Sequence, residues 1–404
     1  MDALTTPSNW QKVRLGDILE LLTDYHANGS YELLKNNVTL LKHVDFAIMI
    51  RTTNFENNDF KNDLIYINKK AYEFLSKSKV FAGDILVNKI ANAGTAYFMP
   101  KLNQPVSLGM NLFLLRIKPN YNNFFIFKQI ANYERVLKTF ANGSATKTIT
   151  KNVIKNLLIP LPPLNEQIAI ANILSDLDHY LYSLDALILK KESVKKALSF
   201  ELLSQRKRLK GFNQTWQKVR LGDVCEFGNG GAYETLIVEN GDFKLISLNS
   251  IDIDGNLKNT MKRVNFYDNS LKQDDIVMVL SDVAHGDFLG LCAVIPSNDY
   301  VLNQRMGRLR KRNDCINVLF LRLYINANQK YFKMQGQGSS QLNLSKKAIE
   351  DFEILLPPLN EQIAIANILS DLDHEIISLK NKKRQFDNIK KALNHDLMSA
   401  KIRV

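Results

Sequence analysis

Long apolar runs are missing from this 404-residue chain. None reaches the roughly 18 residues that a membrane helix needs, so no membrane partner is expected. Cysteine is scarce: Cys225, Cys292 and Cys315 are the only three, and none forms a CxxC pair. So sparse and odd a count argues against a disulfide framework or a zinc ribbon and fits a reducing cytoplasm. The opening residues, MDALTTPSNWQKV, hold no apolar stretch of the secretory kind, and a cytoplasmic location is expected. Catalytic signatures are scarce as well. Both Pro-Pro pairs sit in LPPL, without the Asn or Asp before and the aromatic after that an adenine methyltransferase motif carries. Gly228-Asn229-Gly230-Gly231 and Gly336-Gln337-Gly338 do not complete a GxGxxG, and no GK[ST] ends a phosphate loop. No proline precedes an aspartate, as the common PD…[DE]xK nuclease core requires, and the six histidines form no HExxH. These gaps predict little catalytic chemistry in this chain.

What the chain does have is positive charge and repetition. The formal net charge is +12 and the pI about 9.3. A surplus of that size points to a polyanion, most simply nucleic acid, with a generally lysine-rich proteome as the plain alternative. WQKVRLGD occurs at Trp10 and again at Trp216, 206 positions on, and LPPLNEQIAIANILSDLDH occurs at Leu161 and again at Leu356, 195 positions on. Similarity continues from GSATKTITKNVIKNLLIPLPPL to GSSQLNLSKKAIEDFEILLPPL, and from SLDALILKKESVKKAL to SLKNKKRQFDNIKKAL. Between these markers the copies diverge. Two units are too few for a solenoid, so the chain reads as a pseudo-dimer.

Each shared end reads as a helix of about 40–45 residues, roughly 60–68 Å long. Pro162-Pro163 stops the preceding strand, Asn165 is a candidate N-cap, and Glu166 puts negative charge in the first turn. Apolar residues at Ile170, Leu174, Leu177, Leu181, Leu184 and Ile188 make a heptad seam, matched by Ile365, Leu369, Leu372, Ile376 and Leu379. It slips near Lys191 and Lys383 and resumes at Leu198, Leu202, Leu393 and Leu397, as a stutter does. Two such helices most simply pair antiparallel; the other arrangement packs each on its own domain. The variable middles read as mixed β. NVTLLKHV, GDILVNKI, GTAYFMP and NLFLLRIKP suggest strands in the first, and FKLISLNSI, DDIVMVLS, LGLCAVIP and MGRLRKR in the second. A helical stretch precedes each Gly-Ser pair.

W-x4-L-G-D opening each copy, G-S-x4-[IL]-[ST]-K-x2-I closing it, and LPPLNEQ leading into a long helix, all present twice, resemble the specificity subunit of a type I restriction–modification system. The likeness spans essentially the whole chain, although the K-G-F before Trp216 has no counterpart before Trp10. It implies an α+β fold: two mixed-β target recognition domains joined by two long helices in an antiparallel coiled coil, as a pseudo-twofold repeat. The expected boundaries are recognition domains at 1–160 and 211–355, with the helices in 161–210 and 356–404. The resemblance also implies that each middle reads half of a split duplex DNA site, while the helices set the half-site spacing and dock two methyltransferase subunits. Restriction subunits would join that core. S-adenosylmethionine, ATP and Mg are then expected on the partners and none in this chain. A type IIB-like enzyme's specificity chain, and a stand-alone DNA-binding regulator or scaffold, remain as rival readings.

Candidate DNA contacts follow from residue chemistry: lysine and arginine for phosphates, Arg for guanine, Asn and Gln for adenine. One group is Arg305, Arg308, Arg310, Lys311 and Arg312, where strand alternation would put Arg308, Arg310 and Arg312 on one face. A second is Lys147 and Lys151, with Lys346 and Lys347 in the other copy. A third is loop material: Arg51, Lys89 and Asn92, with Asn303 and Gln304. For each group the plain alternative is ordinary polar surface or a structural turn. Asp176, Asp178 and His179, with Asp371, Asp373 and His374, read as solvated helix surface, since near neighbours on a helix do not face each other. The run Lys190, Lys191, Lys195, Lys196, Arg206, Lys207 and Arg208 reads as the wet face of the coil, with contact to spacer phosphates or a partner as the alternative for some of it.

Overall fold

The computed structural model describes residues 9–141, 147–283, 286–402 and 404. The chain divides into two compact units, residues 1–183 with 383–404 and residues 184–382. Each unit therefore holds one globule and half of each long helix.

In the first unit the strands are β1 (Gln11–Arg14), β2 (Leu19–Asp24), β3 (Ala47–Ile50), β4 (Tyr66–Ile67), β5 (Lys79–Val80), β6 (Ile85–Asn88), β7 (Ala96–Phe98), β8 (Val106–Leu108), β9 (Leu112–Ile117) and β10 (Leu158–Leu161). One sheet has the order β2-β9-β6-β7 and is antiparallel throughout, and a second has the order β4-β3-β8-β5, with β3 and β8 parallel. AIMI and ILVN are buried at every position because β3 and β6 are covered on both faces. In the second unit the strands are β11 (Gln217–Arg220), β12 (Cys225–Asn229), β13 (Phe243–Ile246), β14 (Lys262–Val264), β15 (Ile276–Val279), β16 (Ser281–Val283), β17 (Cys292–Val294), β18 (Tyr300–Leu302), β19 (Met306–Lys311), β20 (Gln341–Asn343) and β21 (Glu353–Leu356). The order β12-β19-β15-β17 repeats the first sheet, and β14-β13-β18 repeats three strands of the second, again with one parallel pair, β13 with β18. The divergent middles thus share one topology.

A bidentate ion pair supports that topology twice. Arg116 grips Asp84 with Nε at 2.9 Å and Nη2 at 2.7 Å, and Arg310 grips Asp275 at 2.8 and 2.6 Å. Each carboxylate also accepts a turn N–H, from Phe81 and from Lys272, at 2.7 Å in both cases. Each helical stretch is two short helices: Asn123–Asn132 and Glu134–Thr139, then Val318–Ala327 and Gln329–Gln335. Asn122 and Asn317 cap the first of each pair. NVTLLKHV is not a strand. It spans the end of the helix Tyr31–Asn37 and a segment whose only ladder contact is the isolated bridge Leu41–Tyr66, and its Leu40 and Val44 are exposed.

The long helices are Leu164–Leu203 and Leu359–Met398, 40 residues each. Asn165 does not cap the first. The carbonyl of Pro163 already accepts from Glu166 and Gln167 N–H, both at 3.0 Å, so helical bonding starts at the proline and leaves Asn165 in the first turn. Proline suits that place because its fixed φ is helical and it has no N–H to leave unpaired. In both units the helices run antiparallel. In the first, Asp178 meets Lys390 and Tyr180 meets Phe386 at a centroid distance of 4.6 Å. In the second, Lys191 meets Glu375 at 2.8 Å, Lys195 meets Asp373, and Glu192 meets Lys380 at 2.7 Å. Seam residues Ile170, Leu174, Leu181, Leu184, Ile188, Ile365, Leu369 and Ile376 are buried, while Leu177, Leu372 and Leu379 are half-buried. Lys191, Lys195, Asp178 and Asp373 are therefore cross-helix partners rather than wet surface. Asp178 also receives Lys128 of the globule at 2.9 Å. Burial alone would raise the Asp178 carboxyl, but hydrogen bonds and charge from Lys390 and Lys128 outweigh it and hold it below the ordinary range.

Candidate nucleic-acid interface

The shared ends of each copy close on one another. Antiparallel β1 and β10 put Gln11 opposite Leu161, and β11 and β21 put Gln217 opposite Leu356. Leu15 N–H donates to Leu157 O and Leu221 N–H to Phe352 O, both at 2.8 Å. The LGD glycines are needed here, because a Cβ on Gly16 would lie 3.1 Å from Lys155 O, and one on Gly222 only 2.9 Å from the Glu350 Cβ. The Trp10 indole N–H donates to Glu166 at 3.1 Å, and the Trp216 indole to Glu361 at 3.0 Å. Gln167 and Gln362 each reach back to a proline carbonyl, of Pro162 and of Pro357, at 2.8 Å. They also accept the N–H of the helix caps Asn122 and Asn317. Trp, Gly, Pro-Pro, Glu and Gln of the repeated motifs thus form one clasp that ties globule to helix. The copies differ at the glutamate. Glu361 also takes a fork from Arg208 at 3.1 and 2.6 Å, whereas Glu166 has the Asn9 amide at 3.3 Å.

Away from the clasp, the variable segments converge at one end of the sheets. In the first unit the turn from β8 to β9 is pinned by Gly109 N–H to Ile50 O at 2.9 Å and by Lys89 N–H to Asn111 O at 2.8 Å. Lys89 O in turn accepts from Ile149 N–H at 3.1 Å, which brings in the segment leading to the shared helix. The second unit repeats all three links: Asn303 to Ile246 at 3.0 Å, Leu280 to Arg305 at 3.0 Å, and Leu344 to Leu280 at 2.8 Å. Most of the candidate residues gather at these two loop ends. Arg51 follows β3 and donates to Asp63 O at 2.7 Å. Lys89 is buried and pairs with Asp24 at 3.2 Å, and Lys151 pairs with the other Asp24 oxygen at 3.0 Å. Burial works to raise the Asp24 carboxyl, but the two lysines prevail and hold it below its usual range. Asn92 and Lys147 are exposed. Gly143 and Ser144 lie outside the described residues. In the second unit Gln304 and Arg305 are exposed at the β18–β19 turn, with Arg305 at φ +67°. Lys346 and Lys347 are exposed on the short helix Lys346–Glu350, Lys346 standing 3.6 Å from Glu350.

Other candidates are engaged inside the globule. Asn303 is buried, its amide joining Tyr233 N–H at 3.1 Å and Glu234 at 2.7 Å, so it holds the turn. Arg308 and Arg310 share a strand face as alternation predicts, but Arg308 pairs with Glu226 at 2.7 Å and Arg310 with Asp275. Arg312 lies past the strand end and donates to the carbonyls of Gly222 at 3.1 Å and Cys225 at 3.2 Å. Lys311 pairs with Asp314. Sequence reasoning missed Met110 and Asn111, which occupy the turn positions of Gln304 and Arg305 and are exposed. The signal was available, since LGMNL and LNQRM each follow a short apolar strand and precede another.

The comparisons agree with this architecture. A family model described as the type I restriction modification DNA specificity domain matches residues 7–191 and again 213–386. The chain is similar to the type I restriction enzyme MjaVIII specificity subunit of Methanocaldococcus jannaschii, with 27% identity over 100% of this chain and 95% of that one. A putative MjaX specificity subunit from the same organism is 26% identical over 98% and 97%. Among solved structures, the S subunit of a type I restriction–modification system from M. genitalium superposes with a TM-score of 0.63 at 19% identity, covering 98% of this chain and 97% of that one. The HsdS subunit of Thermoanaerobacter tengcongensis gives 0.50 at 18% identity, covering 99% of each. Two matched copies of the domain, each closed by its own clasp, place this chain in the type I restriction–modification DNA specificity family.

Proposed function

We propose that this chain is the DNA-specificity subunit of a type I restriction–modification complex. It reads an asymmetric, two-part duplex site, one part with each loop end, and carries out neither methyl transfer nor cleavage itself. The observation that carries this reading is one frame presented twice with unlike exposed chemistry: Met110 and Asn111 on one copy, Gln304 and Arg305 on the other. Unlike readers on like frames select unlike half-sites. Lys147, Lys151, Lys346, Lys347, Arg51 and Asn92 supply phosphate and loop contacts around them, and Lys89 reaches the same edge through Asp24.

Two modification subunits carrying S-adenosylmethionine dock on the shared helices and methylate an adenine in each half-site. Restriction subunits using ATP and Mg complete the complex in the cytoplasm. Mapping methylated adenines by single-molecule sequencing, with and without the gene, is the test. A two-part motif present only with the gene supports the reading, and an unchanged methylome refutes it.

A further inference from the structure

We infer that the turn Met110–Asn111 reads bases in the first half-site, as the counterpart of Gln304–Arg305. The inference rests on the reading of the chain as a DNA-specificity subunit and names the side chains that do the reading in the first globule. Three observations carry it. The turn backbone is fixed from both sides, by Gly109 N–H on Ile50 O and by Lys89 N–H on Asn111 O. Gly109 itself has no room for a side chain, since a Cβ there would lie 2.5 Å from Ile50 O. The two side chains that follow are not needed for any of this. Met110 is 51% exposed, Asn111 is exposed, and neither side chain has a hydrogen bond among the described residues.

A fixed backbone that presents side chains with unused binding groups suits base reading, because only those side chains, and not the turn itself, are ordered on binding. The pseudo-equivalent turn obeys the same rule. Leu280 N–H holds Arg305 O, while the side chains of Gln304 and Arg305 remain exposed. The frame is common and only the tip chemistry changes, from Met-Asn to Gln-Arg. An apolar side chain suits the thymine methyl, and Asn pairs with the N6 and N7 edge of adenine, whereas Arg pairs with guanine. The first half-site therefore carries A·T pairs under this turn.

The probe is the genomic DNA of cells carrying the complete system, with methylated adenines mapped for wild type and for Met110→Ala with Asn111→Ala. The expected result is a motif relaxed at one or two base pairs of one half, by on the order of 10-fold in preference, with the other half unchanged. The intact half reports that the chain folds and assembles. A variant motif identical to wild type, methylated to the same extent, overturns the inference. Should the double variant abolish methylation, Met110→Leu and Asn111→Gln decide: an altered base preference supports the inference and an unaltered motif overturns it. Failure of the underlying reading looks different, because the wild type itself then yields no two-part motif.

Discussion

At the scale of single residues, the clasp explains why certain letters recur. Trp10 and Glu166 are 156 residues apart, and nothing in the sequence links them except that both are written again as Trp216 and Glu361. Repetition flagged the positions but not the bond, since an indole N–H meeting a carboxylate is a tertiary event without local signature. The two clasps differ in reserve. Replacing Trp216 with Phe leaves Glu361 held by both Arg208 bonds, whereas Trp10→Phe leaves buried Glu166 with the Asn9 amide alone among the described residues. An under-satisfied buried acceptor costs about 1–3 kcal/mol, so Trp10→Phe lowers the thermal unfolding midpoint more than Trp216→Phe. Equal shifts would refute that ranking. Asp178 makes a second case. Its carboxyl is held below the ordinary value when folded, so its contribution is complete above the unfolded pKa of about 3.9 and is lost as pH falls through the lower folded value. Acid unfolding of wild type then steepens below about pH 4, and Asp178→Asn flattens that portion of the curve.

At the scale of elements, periodicity was a good guide and propensity a poorer one. The heptad seam was readable because each inward residue repeats along one stripe, and both long helices follow it. The helix starts earlier than the sequence suggests: Asn165 has the right chemistry for a cap but lies two places past Pro163, which already accepts the first bonds. NVTLLKHV looks like a strand by composition, yet only Leu41 finds a ladder partner there. Both long helices end alike. Gln205 and Ala400, 195 positions apart, have φ of +60° and +56°, so a non-glycine residue takes the left-handed turn that stops each helix. The coil invites a length test. Four residues inserted after Ile188 and four after Leu379 add about 6 Å of rise to each helix and keep the seam as a stutter. If the helices set the half-site distance, the spacer in the methylated motif grows by roughly one or two base pairs, at about 3.4 Å each, and both half-site sequences stay the same. An unchanged spacer with retained activity would remove the coil from that role.

For the molecule as a whole, duplication, charge and missing catalytic motifs pointed to a two-part reader, and two matched domains in one chain agree with that plan. The candidate site was less legible. Charge alone singled out Arg308, Arg310 and Arg312, yet Arg310 repeats the role of Arg116 as an internal brace, which only the paired carboxylates Asp275 and Asp84 reveal. Met110 went unnoticed because an exposed apolar residue carries no charge to mark it. Exchange of residues 18–142 for the middle of another such chain is expected to change one half of the methylated motif and leave the other intact. Simultaneous change of both halves would contradict independent readers. The purified chain alone, given S-adenosylmethionine and DNA, is expected to transfer no methyl label.

The meeting of β1 with β10 and of β11 with β21 has a consequence for the gene. Each variable stretch enters and leaves its frame at one place, the geometry that an exchangeable cassette requires. Where the stretches encoding LPPLNEQIAIANILSDLDH also match in nucleotide sequence, the gene can recombine with itself. A crossover joined in register anywhere within them deletes 195 codons, and the residues on either side of the junction are unchanged. The product keeps the first globule and one complete long helix. Two such short chains, paired through that helix, would carry identical readers, and the target would change from an asymmetric site to an inverted repeat of the first half.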